Sequence, residues 1–335
     1  MDRQTGKSLT VERANPAELS AALQLVFGRI EEPVRAAQVA EAKQEIERGG
    51  GDRHILLVAR RAGDLAAATW VQIMPGRVAS LWPIGLAAGE GAGTVTAILE
   101  GAIVFAAAAG ARLVQTLLEI DAGPEAEGLR QCGFRQLTDL LYLVSLPVDF
   151  PAVEPISDLV FEPVAEAGVT EIPEHATQRL SQIIQRTYVG TLDCPSVHQL
   201  RKIEDVLTTY RGIGRFDPAR WYFVRCENAD IGCLLLTQHP EVRTCELLYV
   251  GVTPEVRGNE HGLQIVRWAQ WIAGFCGLRK ARGEKSAEQN VASHIERLVL
   301  AVDAENLPAI AMYAAAGFKT WDRRSVFLRE IAEKK

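Results

Sequence analysis

One order of elements occurs twice in the chain, and it limits the fold more than any single motif. RVASLWPIGL (77–86) parallels RTCELLYVGV (243–252). Each is followed by a glycine-containing loop and an apolar helix: GEGAGTVTAILEGAIVFAAAAG in the first half, GNEHGLQIVRWAQWIAGF in the second. Each then reaches an apolar strand, RLVQTLLEID or RLVLAVDAE, a short helix, a Gly-Phe pair (Gly133-Phe134, Gly317-Phe318) and a last strand, DLLYLVSL or RSVFLREI. A shared order over such lengths argues for duplication. Between the copies lies LPVDFPAVEPISD (146–158), with three prolines and no helical period. It reads as a linker, so the expected domains are 1–147 and 158–335, joined by 148–157.

In the second half, residues 159–164 read as a strand, 178–188 and 197–210 as helices, and 221–226 with 231–237 as a hairpin across a turn-rich Glu227-Asn228-Ala229-Asp230. Strand 246–252, helix 259–275, strand 298–302 and helix 307–316 follow. Strands and helices alternate late in each half, which predicts an α/β fold whose mixed sheet is parallel in part. A chain of 335 residues, 48% hydrophobic and 23% charged, has apolar mass for two such cores. Lys+Arg 36 against Asp+Glu 42 gives no basic excess for nucleic acid. The six cysteines form no C-x-x-C pair and no zinc-like spacing with histidine, so no metal is expected. No apolar signal core opens the sequence, and the most apolar run, 102–109, is too short for a bilayer. The expectation is a cytoplasmic protein with no membrane partner.

VGVTPEVRGNEHGLQIV (250–266) joins a strand to a helix through glycines. A helix start exposes unpaired N–H groups and partial positive charge, a place for phosphate, and Arg257 stands just before it. An ordinary strand-to-helix turn has the same look. The loop is followed by a strand and by NLPAIAMYAAAGF (306–318), a short apolar helix with an Asn at its start and a Tyr in its middle. V-x-P-x-x-R-G-x-x-x-G, a strand, then N-x-x-A-x-x-x-Y-x-x-x-G-F resembles the GNAT superfamily of acetyl-CoA-dependent N-acetyltransferases. The second motif is met by Asn306, Ala309, Tyr313, Gly317 and Phe318 without a gap. The resemblance covers about 159–331 and, more weakly, about 9–146. The whole chain is similar in plan to tandem two-GNAT proteins such as mycothiol synthase.

The resemblance implies that strands 246–252 and 298–302 splay apart around the pantetheine arm of acetyl-CoA. Backbone groups of Val250 and Val252 would pair with that arm as an added strand does. Arg257, Gly258, Asn259, Glu260, His261 and Gly262 would hold the pyrophosphate, and Asn306 would bond the cofactor arm. An amine would attack the thioester, and a backbone N–H would stabilise the oxyanion. Tyr313 would protonate the leaving thiolate, since a phenol with pKa about 10 is protonated at neutral pH. Packing at a core edge is the other use of such a tyrosine. Glu246, a carboxylate within an apolar strand, is the candidate base if burial raises its pKa, or a solvated residue if it faces outward.

Two departures qualify the match. The family loop usually reads R-G-x-G-x-G, and here Glu260 replaces a glycine. If that position needs positive φ, the cost is about 1–2 kcal/mol. The first half has a fuller glycine loop, 89–93, but no Arg precedes it, and Ala122 and Leu129 stand where Asn306 and Tyr313 stand, so it reads as a degenerate copy: a structural partner, one wall of the acceptor site, or a CoA binder without catalysis. TYVGTLDCPSVHQL (187–200) is expected to border the acceptor, with Tyr188, Asp193, Cys194 and His198 as candidate contacts or, for Asp193, a helix cap. Arg279, Lys280, Arg282 and Lys285 form a basic insertion, a candidate for the CoA 3′-phosphate or a solvated surface. Trp268 and Trp271 are expected to pack between domains or subunits. The predicted reaction is acetyl or short-acyl transfer from CoA to a primary amine, either a small molecule or a protein N-terminus. The rival is a non-catalytic acyl-CoA-binding protein on the same scaffold. The sequence leaves the oligomeric state open.

Overall fold

The structure, a computed structural model, describes residues 8–48, 53–120, 122–198, 200–278 and 295–331. The basic insertion with Arg279, Lys280, Arg282 and Lys285 lies outside the described residues. By its contacts the chain divides into Met1–Leu137 with Arg324–Lys335 (unit 1) and Thr138–Arg323 (unit 2). The first half supplies β1 (Leu9–Arg13), α1 (Leu19–Val26), α2 (Val34–Arg48), β2 (His54–Arg61), β3 (Asp64–Met74), β4 (Val78–Leu81), β5 (Gly85–Leu86), α3 (Ala92–Ala108), β6 (Leu113–Glu119), α4 (Gly123–Gln131) and β7 (Arg135–Ser145). The second supplies β8 (Leu159–Pro163), α5 (Glu174–Tyr188), α6 (Pro195–His198), α7 (Ile203–Arg211), β9 (Trp221–Cys226), β10 (Ala229–His239), β11 (Thr244–Val252), α8 (His261–Leu278), β12 (Arg297–Asp303), α9 (Leu307–Ala315) and β13 (Lys319–Glu330).

Unit 1 has strand order β1-β2-β3-β4-β6-β13, with β5 beside β3. Unit 2 has the same order in its own strands, β8-β9-β10-β11-β12-β7. In both, the pair next to last is parallel, β4·β6 and β11·β12, and the pairs flanking it are antiparallel. The sixth strand is exchanged. Arg324–Glu330 of β13 runs along β6 in unit 1, and Leu140–Ser145 of β7 runs along β12 in unit 2. The compact units therefore fall elsewhere than the expected halves, because each half's last strand finds its ladder partner in the other copy.

Each unit has a core on both faces of its sheet. In unit 2, α8 and α9 cover one face, over Leu234, Leu236, Cys245, Leu247, Leu298 and Leu300. On the other face α5 and α7 cover Trp221, Phe223, Cys233 and Leu235. Trp268 belongs to the first of these cores, not to a contact between domains. Its ring stacks on Phe161 at 4.0 Å and meets Tyr222 edge-on at 4.6 Å. Trp271 packs against the same cluster. The apolar face of α8 is wide enough to take both indoles. The helix expected over 197–210 is two: α7 starts at Ile203, because Lys202 is extended at ψ 146. The start of α8 falls at His261 rather than residue 259, since Gly258 (φ +84) and Glu260 (φ +59) are left-handed. No described helix is long and apolar enough to cross a membrane.

Candidate functional site

The parallel ladder between β11 and β12 holds for three positions only, Thr244↔Arg297, Cys245↔Leu298 and Glu246↔Val299. A bulge explains the parting. Against β10, Leu235 faces Tyr249 and Leu236 faces Leu247, so Leu248 has no opposite number. An extra residue bends a strand and reverses its alternation. Before it, Cys245 and Leu247 point under α8; after it, Val250 and Val252 do, while Tyr249 faces α5 and α7. Beyond the ladder, a cleft of about 610 Å³ opens between the two strands. A parted pair of this kind leaves strand edges without ladder partners, which suits an extended ligand that adds as a strand would.

The cleft gathers most of the expected residues. Val250, Val252, Arg257, Gly258, Glu260, His261, Gly262, Asn306 and Tyr313 all line it, as does Asp193 from the loop after α5. Asn259 is exposed beside it. Asn306 caps α9, its Oδ1 accepting from Ala309 N–H at 3.3 Å. From there Pro308, Ala309, Met312 and Tyr313 present one helix face to the cleft. Tyr313 is 5% exposed, with its ring against Phe318 at 5.6 Å. Burial, and then the charge of Asp193, push its hydroxyl above the ordinary phenol range, so it stays protonated at neutral pH.

At the head of α8, the first-turn N–H groups have no helical partner. Gly262 packs against α9 there: a Cβ would come within 2.6 Å of Met312 Sδ, so that flexible side chain would have to shift. The buried Nδ1 of His261 has no hydrogen-bond partner. An anion at this helix start would meet both. Two residues stand differently from expectation. The Arg257 guanidinium is already engaged by three carbonyls: Thr187 at 2.8 Å, Gly190 at 3.0 Å and Val252 at 3.1 Å. It clasps the end of α5 to β11, and Val252 O is thereby taken as well. Glu260 holds φ +59, the left-handed region where a side chain costs about 1–2 kcal/mol.

Glu246 does not line the cleft. It sits at the last laddered position, on the α5/α7 face beside Thr237, and its Oε2 lies 2.7 Å from His239 Nε2. That hydrogen bond raises the His239 pKa against the opposing effect of burial. Tyr188 and Cys194 lie behind the cleft wall. Tyr188 packs edge-on to Tyr249 at 6.0 Å, and burial raises the pKa of both its hydroxyl and the Cys194 thiol. His198 ends the short α6.

A knot around Asp303 was not foreseen. The buried carboxylate accepts from Thr138 Oγ1 at 2.6 Å, Glu305 N–H at 2.9 Å and Cys194 N–H at 3.0 Å. Asp303 N–H in turn donates to Asp193 Oδ1 at 3.0 Å. Asp193 is thus a positioning group that ties the loop after α5 to the end of β12. The only sequence signal is an acidic residue closing an apolar strand.

No protein-family model matches the sequence. A mycothiol acetyltransferase of Streptomyces bingchenggensis is 28% identical over 131 residues, which are 39% of this chain and 36% of that protein. The match thus spans about a third of that relative's length. Among solved structures, a GCN5-related N-acetyltransferase from Sphaerobacter thermophilus superposes with TM-score 0.60 at 18% identity, over 96% of this chain and 95% of that one. A tandem GNAT protein from the clavulanic acid biosynthesis pathway does so with TM-score 0.52 at 16% identity, over 98% and 100%. The chain has the GNAT fold.

Proposed function

We propose that unit 2 binds acetyl-CoA or a related short acyl-CoA and transfers the acyl group to a primary amine, either a small molecule or a protein N-terminus. The observation that supports it is the convergence of Asn306, Tyr313, Val250 and the helix start of α8 on one cleft between parted parallel strands. The residues fit the group. The glycine at 262 lets α8 lie against Met312, and the unpartnered His261 Nδ1 and first-turn amides await an acceptor. The Asn306 side chain and the Val250 backbone would hold the pantetheine arm.

Bound there, acetyl-CoA supplies an acyl group activated as a thioester. The Tyr313 hydroxyl holds a proton that burial keeps in place, and it can give that proton to a leaving thiolate. Glu246 serves as the sink for the proton of the amine. It is reached through water, since its carboxylate does not line the cleft, and its Oε2 is held 2.7 Å from His239 Nε2. Arg257 and the Asp193–Asp303 contact keep the two walls in place.

A binder without catalysis is the second reading. It is favoured by Glu260, which puts a strained residue and a negative charge where an anion would approach. Thiol release from acetyl-CoA, measured with a panel of primary amines, separates the two. Tyr313→Phe is expected to lower turnover by about 10²-fold or more while leaving the acetyl-CoA dissociation constant unchanged. Full turnover in that variant would sink the role of Tyr313. Binding without thiol release for any amine would leave the second reading.

A further inference from the structure

Unit 1 repeats the plan of unit 2, so the counterpart of the cleft can be located in it. Gly89 and Gly258 open the two loops with the same φ, +84. Gly85 and Gly251 take the same place in their strands, and both are pressed by the first α-helix of their unit, α1 and α5. A Cβ on Gly85 would fall 2.1 Å from the Leu25 carbonyl, and one on Gly251 2.7 Å from Thr187 Oγ1. With these glycines matched, Ile84 is the counterpart of Val250.

At that residue the two units differ. Ile84 N–H donates to Glu125 Oε1 at 2.7 Å, and Arg29 Nη2 holds the other oxygen at 2.9 Å. Glu125 is 6% exposed and lies on α4, three residues past Ala122. By the spacing from the Gly-Phe pairs its counterpart is Ala309, which lines the cleft of unit 2. A carboxylate has entered where unit 2 keeps a methyl group and open space. Burial raises the Glu125 pKa against the opposing pull of Ile84 N–H and Arg29, but the side chain already takes the Ile84 N–H that the arm of a CoA would use.

The same thing happens at the loop. The Glu90 carboxylate accepts from the Thr94 hydroxyl in the first turn of α3 and from Arg61 through Nε at 3.0 Å and Nη2 at 3.1 Å. The Arg61 hydrogen bond and then Thr94 hold its pKa below the usual carboxylate range. A fixed negative charge beside a helix start satisfies the partial positive charge that a phosphate would otherwise seek.

We infer that unit 1 is closed to acyl-CoA by two of its own carboxylates, Glu125 in place of the pantetheine arm and Glu90 in place of a phosphate, so that of the two clefts that of unit 2 takes the cofactor. This rests on the reading of the unit 2 cleft as a CoA site. Amide hydrogen exchange of the full chain, with and without acetyl-CoA, tests the two separately. Acetyl-CoA is expected to slow exchange at 250–263 and to leave 84–94 unchanged. The Ile84 amide is expected to be protected in the wild type and to exchange at least tenfold faster in Glu125→Ala. Glu125→Asp, too short to reach, is expected to do the same if the alanine variant misfolds. Slowing at 84–94 by acetyl-CoA would overturn the inference, as would an Ile84 amide equally protected in both variants. Absence of slowing at 250–263 would remove the proposed function instead, while the Glu125 variants still decide whether that carboxylate fills the groove of unit 1.

Discussion

Glu260 shows how one residue can set the strength of a site without belonging to its chemistry. Its φ of +59 is a conformation that glycine adopts freely. Glu260→Gly would release about 1–2 kcal/mol of strain and lose about 0.4–1 kcal/mol through a freer unfolded chain, so stability should change little. Binding should change more, because a carboxylate leaves the neighbourhood of an anion. The acetyl-CoA dissociation constant is expected to fall by roughly three- to tenfold at low ionic strength. The gain should shrink towards 1 M salt, where charges are screened within about 3 Å. Calorimetric titration at two salt concentrations checks it; a gain that salt does not touch would assign the effect to backbone strain instead. Asn306, Tyr313 and the glycine loop were legible because their spacing is local and fixed. The partners of Arg257 were not. Its three carbonyls come from residues 187, 190 and 252, and only the folded position of α5 brings two of those to the third.

Strands and helices followed from periodicity and turn residues, but the feature that makes the cleft is a single unpaired residue. Nothing in CELLYVGV marks Leu248 as a bulge, since it is as apolar as its neighbours. The parity of the strand, and hence the side on which Glu246 and Tyr249 lie, depends on it. The pairing of Glu246 with His239 follows from the β10·β11 register and could not be read from either strand alone. That pair gives unit 2 a pH-dependent element. The folded-state pKa of His239 is raised above its ordinary value of about 6.5. Its contribution is therefore complete below about pH 6.5 and is lost as pH rises through the folded value. Denaturant unfolding between pH 5.5 and 8.5 should show the wild type losing this increment, and His239→Gln should flatten that part of the profile. An unchanged slope in the variant would mean the pair contributes nothing measurable.

At the scale of the molecule, the duplication was visible in the sequence and the strand exchange was not. DLLYLVSL and RSVFLREI are equally good final strands for either copy, so composition cannot say which sheet each completes. In the fold, β7 carries Leu140–Ser145 to β12 and β13 carries Arg324–Glu330 to β6. Fragments 1–147 and 158–335 should therefore each be one paired strand short when expressed alone, and should show poorly dispersed spectra or aggregate through the open edge. Co-expressed, they should recover a folded, non-covalent complex. A cooperative unfolding transition from either fragment alone would contradict this. The exchange also bears on how such a chain can change over generations. A copy whose groove has filled with its own carboxylates is ordinarily free to be deleted. Here each half supplies the sixth strand of the other's sheet, so a half that bound no ligand could not be deleted without opening the edge of the sheet that remains.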